Sequence, residues 1–252
     1  MKNEQFTYTK TALVLLSFIF LLAFSFCSKD EEKEPSPPPA NGDNGSGGAE
    51  TLTVTDREGN VYKAVEIGDQ IWMAENLNTK NHDYGYSMCQ RGMPLYCAMY
   101  GRMYDFAAIL NGENHLLPKV QGICPDGWRL PHNNDWIELE IFLGMSEDDA
   151  FDVSLSQTER GTIEGKLLKS ETLWKDNANG TNAYGFNVLP GGNDSHTYSI
   201  NETVNLWSIL VVTNQIGVDM PVVRRFNNGN RIIFTVTSTS SYNYLRCIKD
   251  IE

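Results

Sequence analysis

The chain has 252 residues, 32 acidic against 20 basic, a formal net charge of −12, and 41% hydrophobic composition that includes 11 Phe, 5 Trp and 11 Tyr. That apolar and aromatic mass supports a packed core and excludes wholesale disorder. The acidic balance excludes nucleic acid as a partner, because phosphate backbones are held by Lys and Arg, and it argues against adhesion to anionic lipid through a basic face.

Lys2 and Lys10 flank the start of the chain, and an apolar run from Ala12 to Phe26 follows, broken only by Ser17 and Ser25. The run is about 15 residues, short of the roughly 18–20 that span a bilayer. A charged start, a short apolar middle and an abrupt polar switch predict a secretory signal peptide over 1–26, with an anchor helix as the alternative. Cys27 closes the run. Leu22-Ala23-Phe24-Ser25-Phe26-Cys27 resembles a bacterial lipobox, in which the Cys is lipidated and becomes the mature N-terminus, although Phe26 stands where a small residue is usual. Ser28-Lys29-Asp30-Glu31-Glu32 resembles the acidic export tag of surface lipoproteins of Bacteroidota. These resemblances imply acyl chains on Cys27 that hold the protein to the outer membrane, surface-exposed; a secreted or periplasm-facing protein is the alternative. Removing residues 1–26 takes away Lys2, Lys10 and Glu4 and leaves 18 basic and 31 acidic residues. Attachment of so acidic a chain relies on acyl burial, at ~0.8 kcal/mol per CH₂.

Residues 27–50 form the next segment. Lys29–Glu50 carries no apolar residue larger than Ala or Pro. Pro35-Ser36-Pro37-Pro38-Pro39 favours extended polyproline II, and the Asn/Gly/Ser run after it favours flexibility, so a disordered tether is expected. Residues 51–252, about 200 of them, suit one domain without an internal repeat. Leu52–Thr55 and Val61–Ile67 alternate as strands joined by a hairpin turn at Asp56–Asn60, and Gln70–Met73 predicts a third strand. Helical spacing predicts a helix over Tyr100–Leu110 and another over Asn133–Phe142, where Pro131 and Asp135 suit an N-terminus. Ser146 opens a further short helix. Gly185–Pro190, Val204–Val212, Val222–Phe226, Arg231–Thr237 and Tyr242–Ile248 read as strands, with Ser238–Ser241 as the turn of a C-terminal hairpin. Helices in the first half and a mostly antiparallel sheet in the second predict an α+β fold. Without Cys27 four cysteines remain, Cys89, Cys97, Cys124 and Cys247. An even count in an exported domain predicts two disulfides, with three connectivities open.

Gly127-Trp128-Arg129-Leu130-Pro131 with Trp136, Trp72-Met73-Ala74-Glu75-Asn76-Leu77, Tyr100-Gly101-Arg102-Met103-Tyr104, Leu189-Pro190-Gly191-Gly192 and Arg246-Cys247-Ile248-Lys249-Asp250 occur in that family's order when the chain is set beside the Fibrobacter succinogenes major paralogous domain. The chain resembles this family of bacterial, often lipid-anchored, extracellular proteins over about residues 51–250. It departs from the pattern at His132 and Asp135, and at Ile209-Leu210. The resemblance implies a C-type-lectin-like fold, also seen in formylglycine-generating enzymes, and no defined activity. It also implies the pair Cys124–Cys247, since both matching motifs carry a Cys; Cys89 and Cys97, close in sequence, form the other.

No HExxH, GxSxG or P-loop occurs, His82, His115, His132 and His196 are scattered, and no CxxC pair suggests zinc. Neither catalytic residues nor a resident metal or other cofactor is expected. Calcium is a minor alternative, since Asp56-x-Glu58-Gly59-Asn60 lacks the remaining ligands of a calcium loop and reads better as a turn, while Asn193-Asp194 and Glu202 lie nearer the loops where such a fold holds the ion. Tyr198, Trp207, Tyr242 and Tyr244 fall in the half where this fold presents ligand loops, and their rings suit stacking on sugars or anchoring a partner; hairpin packing is the bland alternative. Arg224, Arg225 and Arg231 are the one basic concentration and would meet an acidic partner or face solvent. The resulting expectation is a non-enzymatic surface lipoprotein displaying a module that binds a glycan or protein. The alternatives are an accessory subunit of a surface assembly and, further off, a carbohydrate hydrolase or formylglycine-enzyme relative.

Overall fold

Alternation of buried and exposed residues builds the opening strands. The structure, a computed structural model, describes residues 52–152, 158–194, 199–214 and 216–251. The expected signal peptide and tether, with Cys27, Tyr198 and His196, lie outside them. β1 (Thr53–Thr55) and β2 (Val61–Ile67) pair antiparallel, with Val54, Tyr62, Ala64 and Ile67 turned inward. The intervening turn is organised by Asp56, whose carboxylate accepts from the N–H groups of Glu58 and Asn60 at 2.9 Å each and from the Tyr62 hydroxyl at 2.6 Å. A carboxylate so engaged builds a turn, as the sequence predicts. β3 (Gln70–Met73) pairs antiparallel with β2 after the Gly68-Asp69 turn.

The expected helix over Tyr100–Leu110 is not formed as one element. After β4 (Ser87–Met88), α1 (Pro94–Tyr100) stops at Gly101, whose φ is +82° and whose added Cβ would lie 2.7 Å from Asn76 Cβ. β5 (Met103–Tyr104) follows, and then Asp105 caps α2 (Phe106–Leu110) by accepting from Ala108 N–H at 2.8 Å. Helical spacing of Tyr100, Met103, Tyr104 and Ala107 therefore spans two helix ends and a strand. β6 (Trp128–Arg129) leads into α3 (Asn133–Phe142), which has the bounds its sequence predicts. His132 N–H donates to Asp135 Oδ2 at 2.6 Å, closing the first turn. α4 (Glu147–Ala150) begins at Ser146, whose hydroxyl accepts from Asp149 N–H at 3.2 Å.

β7 (Thr158–Arg160) and α5 (Glu164–Leu168) come next. Gly185–Pro190 does not form the expected strand: φ of +72° at Gly185 and +57° at Asn187 breaks the extended run, leaving an isolated bridge from Val188 to Lys169. β8 (Val204–Thr213), β9 (Asp219–Phe226) and β10 (Ile232–Val236) form an antiparallel meander. The expected C-terminal hairpin is also corrected. β10 is already paired on both sides, by β9 and β7, so the Tyr242–Ile248 segment goes elsewhere and splits into β11 (Asn243–Tyr244) and β12 (Ile248–Lys249).

Those two short strands tie the fold together. β12 inserts between β3 and β6 in a five-stranded sheet ordered β1-β2-β3-β12-β6. β11 inserts between β5 and β8 in a seven-stranded sheet ordered β4-β5-β11-β8-β9-β10-β7. Among the described strands all pairings are antiparallel except β11 with β8. The chain is α+β and mostly sheet. The helices do not lead it: β1–β3 come first, and the described α-helices all lie between Pro94 and Leu168.

Between the elements Trp72 packs on Trp136 with ring centroids 4.8 Å apart and on Phe186 at 5.8 Å, all three fully buried. Beside them Glu140 of α3 is shared by two buried guanidiniums. Its Oε1 accepts from Arg224 Nε and its Oε2 from Arg160 Nη2, each at 2.6 Å. Both disulfides form: Cys124–Cys247, the pair the resemblance implies, and Cys89–Cys97, the pair close in sequence.

Candidate functional site

A cleft of about 270 Å³ opens where β2, the segment after β3 and the end of α1 meet. Asn60, Tyr62, Glu75, Asn76, Asn78 and Arg246 give it a polar lining, and Val61 and Met99 give it an apolar lip. The elements explain the convergence. Gly101 lets the chain turn out of α1 against Asn76, and Asn76 Nδ2 donates to Tyr100 O at 2.7 Å. Arg246, between the two C-terminal strands, donates from Nε to Asn76 Oδ1 at 2.8 Å, from Nη2 to Asn187 O at 3.0 Å, and from Nη1 to Phe186 O.

Arg246 is buried, and none of the ion pairs among the described residues includes it. Burial pulls its guanidinium down to about 9, with the Glu75 charge opposing. Its face lies over the Phe186 ring, 4.5 Å from the centroid. Glu75 accepts from Lys63 N–H at 2.8 Å through Oε2. Burial, and then the bond to Asp56, pushes the Tyr62 phenol above its ordinary range. Asn78 N–H donates to the Tyr62 oxygen at 3.0 Å, while Asn78 Oδ1 is buried without a donor among the described residues. The cleft thus holds one carboxylate, one guanidinium and several side-chain amides. Such a lining is balanced in charge and dense in hydrogen-bonding groups.

A second cleft, about 500 Å³, lies at the start of α3 between Arg129, His132, Asn133 and Asp135 on one side and Ile209 and Leu210 on the other. Arg129 grips both oxygens of Asp135, at 2.6 and 2.7 Å, and this pair raises the Arg129 pKa. Burial lowers the His132 pKa against the opposing charge of Asp135, so the ring is neutral near pH 7. The Asp135 carboxylate is spent on Arg129 and on the α3 cap, which leaves this cleft without an uncommitted acid.

A family model, the Fibrobacter succinogenes major domain, matches residues 65–249. The chain belongs to this family. No curated protein and no solved structure matches the chain. In this Fibrobacter succinogenes major domain the residues that depart from the resembled pattern, His132, Asp135, Ile209 and Leu210, meet in the second cleft, although 70 or more positions separate the two groups along the chain.

The domain does not bring the aromatic and basic candidates together. Trp207 is fully buried against Phe106, with ring centroids 5.6 Å apart, and its indole donates to Tyr104 O at 2.9 Å. Tyr244 is fully buried and donates to Gly191 O at 2.9 Å; burial raises its phenol strongly. Arg224 is consumed by Glu140 and Asn133. These three hold the core, because β8, β9 and β11 are covered on both faces. Arg225 is half-buried and donates to Asn205 Oδ1 at 3.1 Å. Arg231 is exposed, 3.8 Å from Glu159. Tyr242 stays partly exposed, its N–H bonded to Asp194 Oδ2 at 2.8 Å. Among the described residues no group of three His, Cys, Asp or Glu side chains is placed to hold a metal ion. Glu202 pairs instead with Lys175. No helix among the described residues is long and apolar enough to cross a membrane.

The polar lining of the first cleft was missed. Glu75-Asn76 and Arg246 sit inside motifs that the sequence presents as markers of the fold. The usable signal was polar residues shortly after a buried strand, and an Arg beside a Cys in the buried link between two strands.

Proposed function

We propose that the protein is a non-enzymatic surface lipoprotein whose C-type-lectin-like module binds a glycan, in the amide-lined cleft between β2 and α1. The observation that carries this reading is the lining itself. Asn60, Asn78 and Glu75 present amide and carboxylate groups beside Asn76 and Arg246, which are bonded to one another, and the lining carries no net charge, which suits a neutral, polyhydroxylated group. The volume, about 270 Å³, sits just under the roughly 300 Å³ at which drug-sized pockets begin, room for a terminal sugar. A single carboxylate lines the cleft, whereas glycoside hydrolysis draws on a pair, and this favours binding over turnover.

The purified protein on a broad glycan array, with calcium and with chelator, tests the reading. Saturable binding to a defined set of neutral glycans is expected, lost in Val61→Trp, where an exposed lip residue becomes a ring that fills the mouth. Binding that survives Val61→Trp would place the ligand elsewhere, and a blank array would sink the glycan reading in favour of a protein partner. Dependence on the chelator would show that calcium takes part.

Outer-membrane attachment through Cys27, with the module facing outward on its tether, belongs to the same proposal and rests on the sequence alone. Cys27→Ala is expected to move the protein from the membrane fraction to the soluble one, because a chain this acidic has no basic surface to replace the acyl chains. Retention in the membrane would point to an uncleaved anchor.

A further inference from the structure

A third concavity, about 410 Å³, lies between α2 and the β8–β9 pair. Phe106, Ala107 and Leu110 of α2, with Val211 of β8, form its apolar walls. Asp219, at the start of β9, and His115 stand at its edge, and no Lys or Arg lines it. Asp105 also lines it, but its two oxygens are spent on Ala108 N–H and Tyr86 N–H, at 2.8 and 3.0 Å. Asp219 is exposed and takes a bond from Thr213 Oγ1 at 2.7 Å through Oδ1.

Exposed apolar residues lie close in sequence to the lining residues. Leu116, next to His115, is 78% exposed; Val218, next to Asp219, is 50% exposed; Ile216, in the connection between β8 and β9, is 84% exposed. Single exposed apolar residues are ordinary, but several flanking an apolar cavity mark a contact surface. A small molecule would be satisfied by the cavity alone. Exposed apolar side chains next in sequence to the lining residues His115 and Asp219 add to what a covering surface of protein dimensions would bury, with one anchor residue in the cavity.

The geometry points to a docking site for a partner protein that inserts an apolar side chain between α2 and β8 and places an adjacent Lys or Arg on Asp219. Charge selects this occupant. The cavity's charged side chains are both carboxylates, and the whole chain carries −12, so a basic segment gains where an acidic one, including a second copy of this chain, is repelled. The site shares no lining residue with the glycan cleft and does not depend on it.

The test titrates the isotope-labelled protein with three capped peptides: Lys-Leu-Phe-Lys, Glu-Leu-Phe-Glu and Lys-Ser-Ser-Lys. The first is expected to shift the amide signals of Ala107, Leu110 and Val211 saturably, and the other two are expected to leave them in place. Asp219→Asn should weaken the first peptide by about fivefold, the upper end for an exposed ion pair. Ala107→Trp, at an exposed position of α2 that leaves the core untouched, should abolish it while glycan binding persists. Equal binding of the acidic peptide, binding that survives Ala107→Trp, or no shift with any peptide would overturn the proposal.

Discussion

Replacing Glu140 by Gln is expected to lower the unfolding free energy by about 3–5 kcal/mol, the cost of breaking a buried ion pair from one side. The carboxylate is the counter-ion of two guanidiniums, Arg160 and Arg224, and all three side chains are essentially removed from water. Burial already pulls Arg160 down to about 10, with Glu140 holding it up and Arg224 pressing it lower. Without the negative charge, two cations face each other across a dry site. The Phe234 ring, 5.1 Å from each guanidinium, offers only a partial substitute. Urea denaturation of the variant against the parent measures the loss. The combined replacement Glu140→Leu, Arg160→Met, Arg224→Met should recover most of it, since well-packed apolar side chains match or exceed a buried ionic cluster. A loss under about 1 kcal/mol for Glu140→Gln would put the cluster in the class of solvent-screened pairs and show that water reaches it.

That cluster also shows where sequence reasoning stops. Arg224-Arg225 reads as an exposed basic pair because nothing within a few residues of it is acidic. The partner that buries Arg224 lies 84 residues earlier in α3. Trp207 and Tyr244 fail for a related reason. In a strand with one wet face, alternation marks which side chains point out. β8 is buried over Val204–Ile209 without alternation, so its pattern carries no such mark. Local features fared better. The bounds of α3 were legible because Pro131 and Asp135 act on their own turn, and the β1–β2 hairpin because Asp56 bonds within four residues. The amide-lined cleft sits between these cases. Each of Asn60, Asn76 and Arg246 is visible in its motif, but their meeting depends on β12 running between β3 and β6, and Ile248 reaches back 176 positions to Trp72 and 119 to Arg129.

The same late insertion makes the Cys124–Cys247 bond the covalent tie with the largest expected effect. Replacing both cysteines by Ala should cost about 5 kcal/mol in the chain-entropy account, because the bond closes a loop with a sequence separation of 123. Both cysteines are fully buried, and Cys247 O accepts from Met73 N–H at 3.0 Å, so the bond pins the link between β11 and β12 that joins the two sheets. Cys89–Cys97 spans a separation of only 8, for which the same account gives about 2–3 kcal/mol. For a domain of this size about 1 kcal/mol moves the melting temperature by 2–4 °C, so the long loop should be worth roughly twice the shift of the short one. Thermal melts of the two double-Ala variants decide between accounts. A larger shift for Cys124→Ala/Cys247→Ala supports loop closure as the source of the stability. Equal shifts would mean instead that the unfolded chain keeps its ends together without the bond, and that local packing around each pair sets the loss.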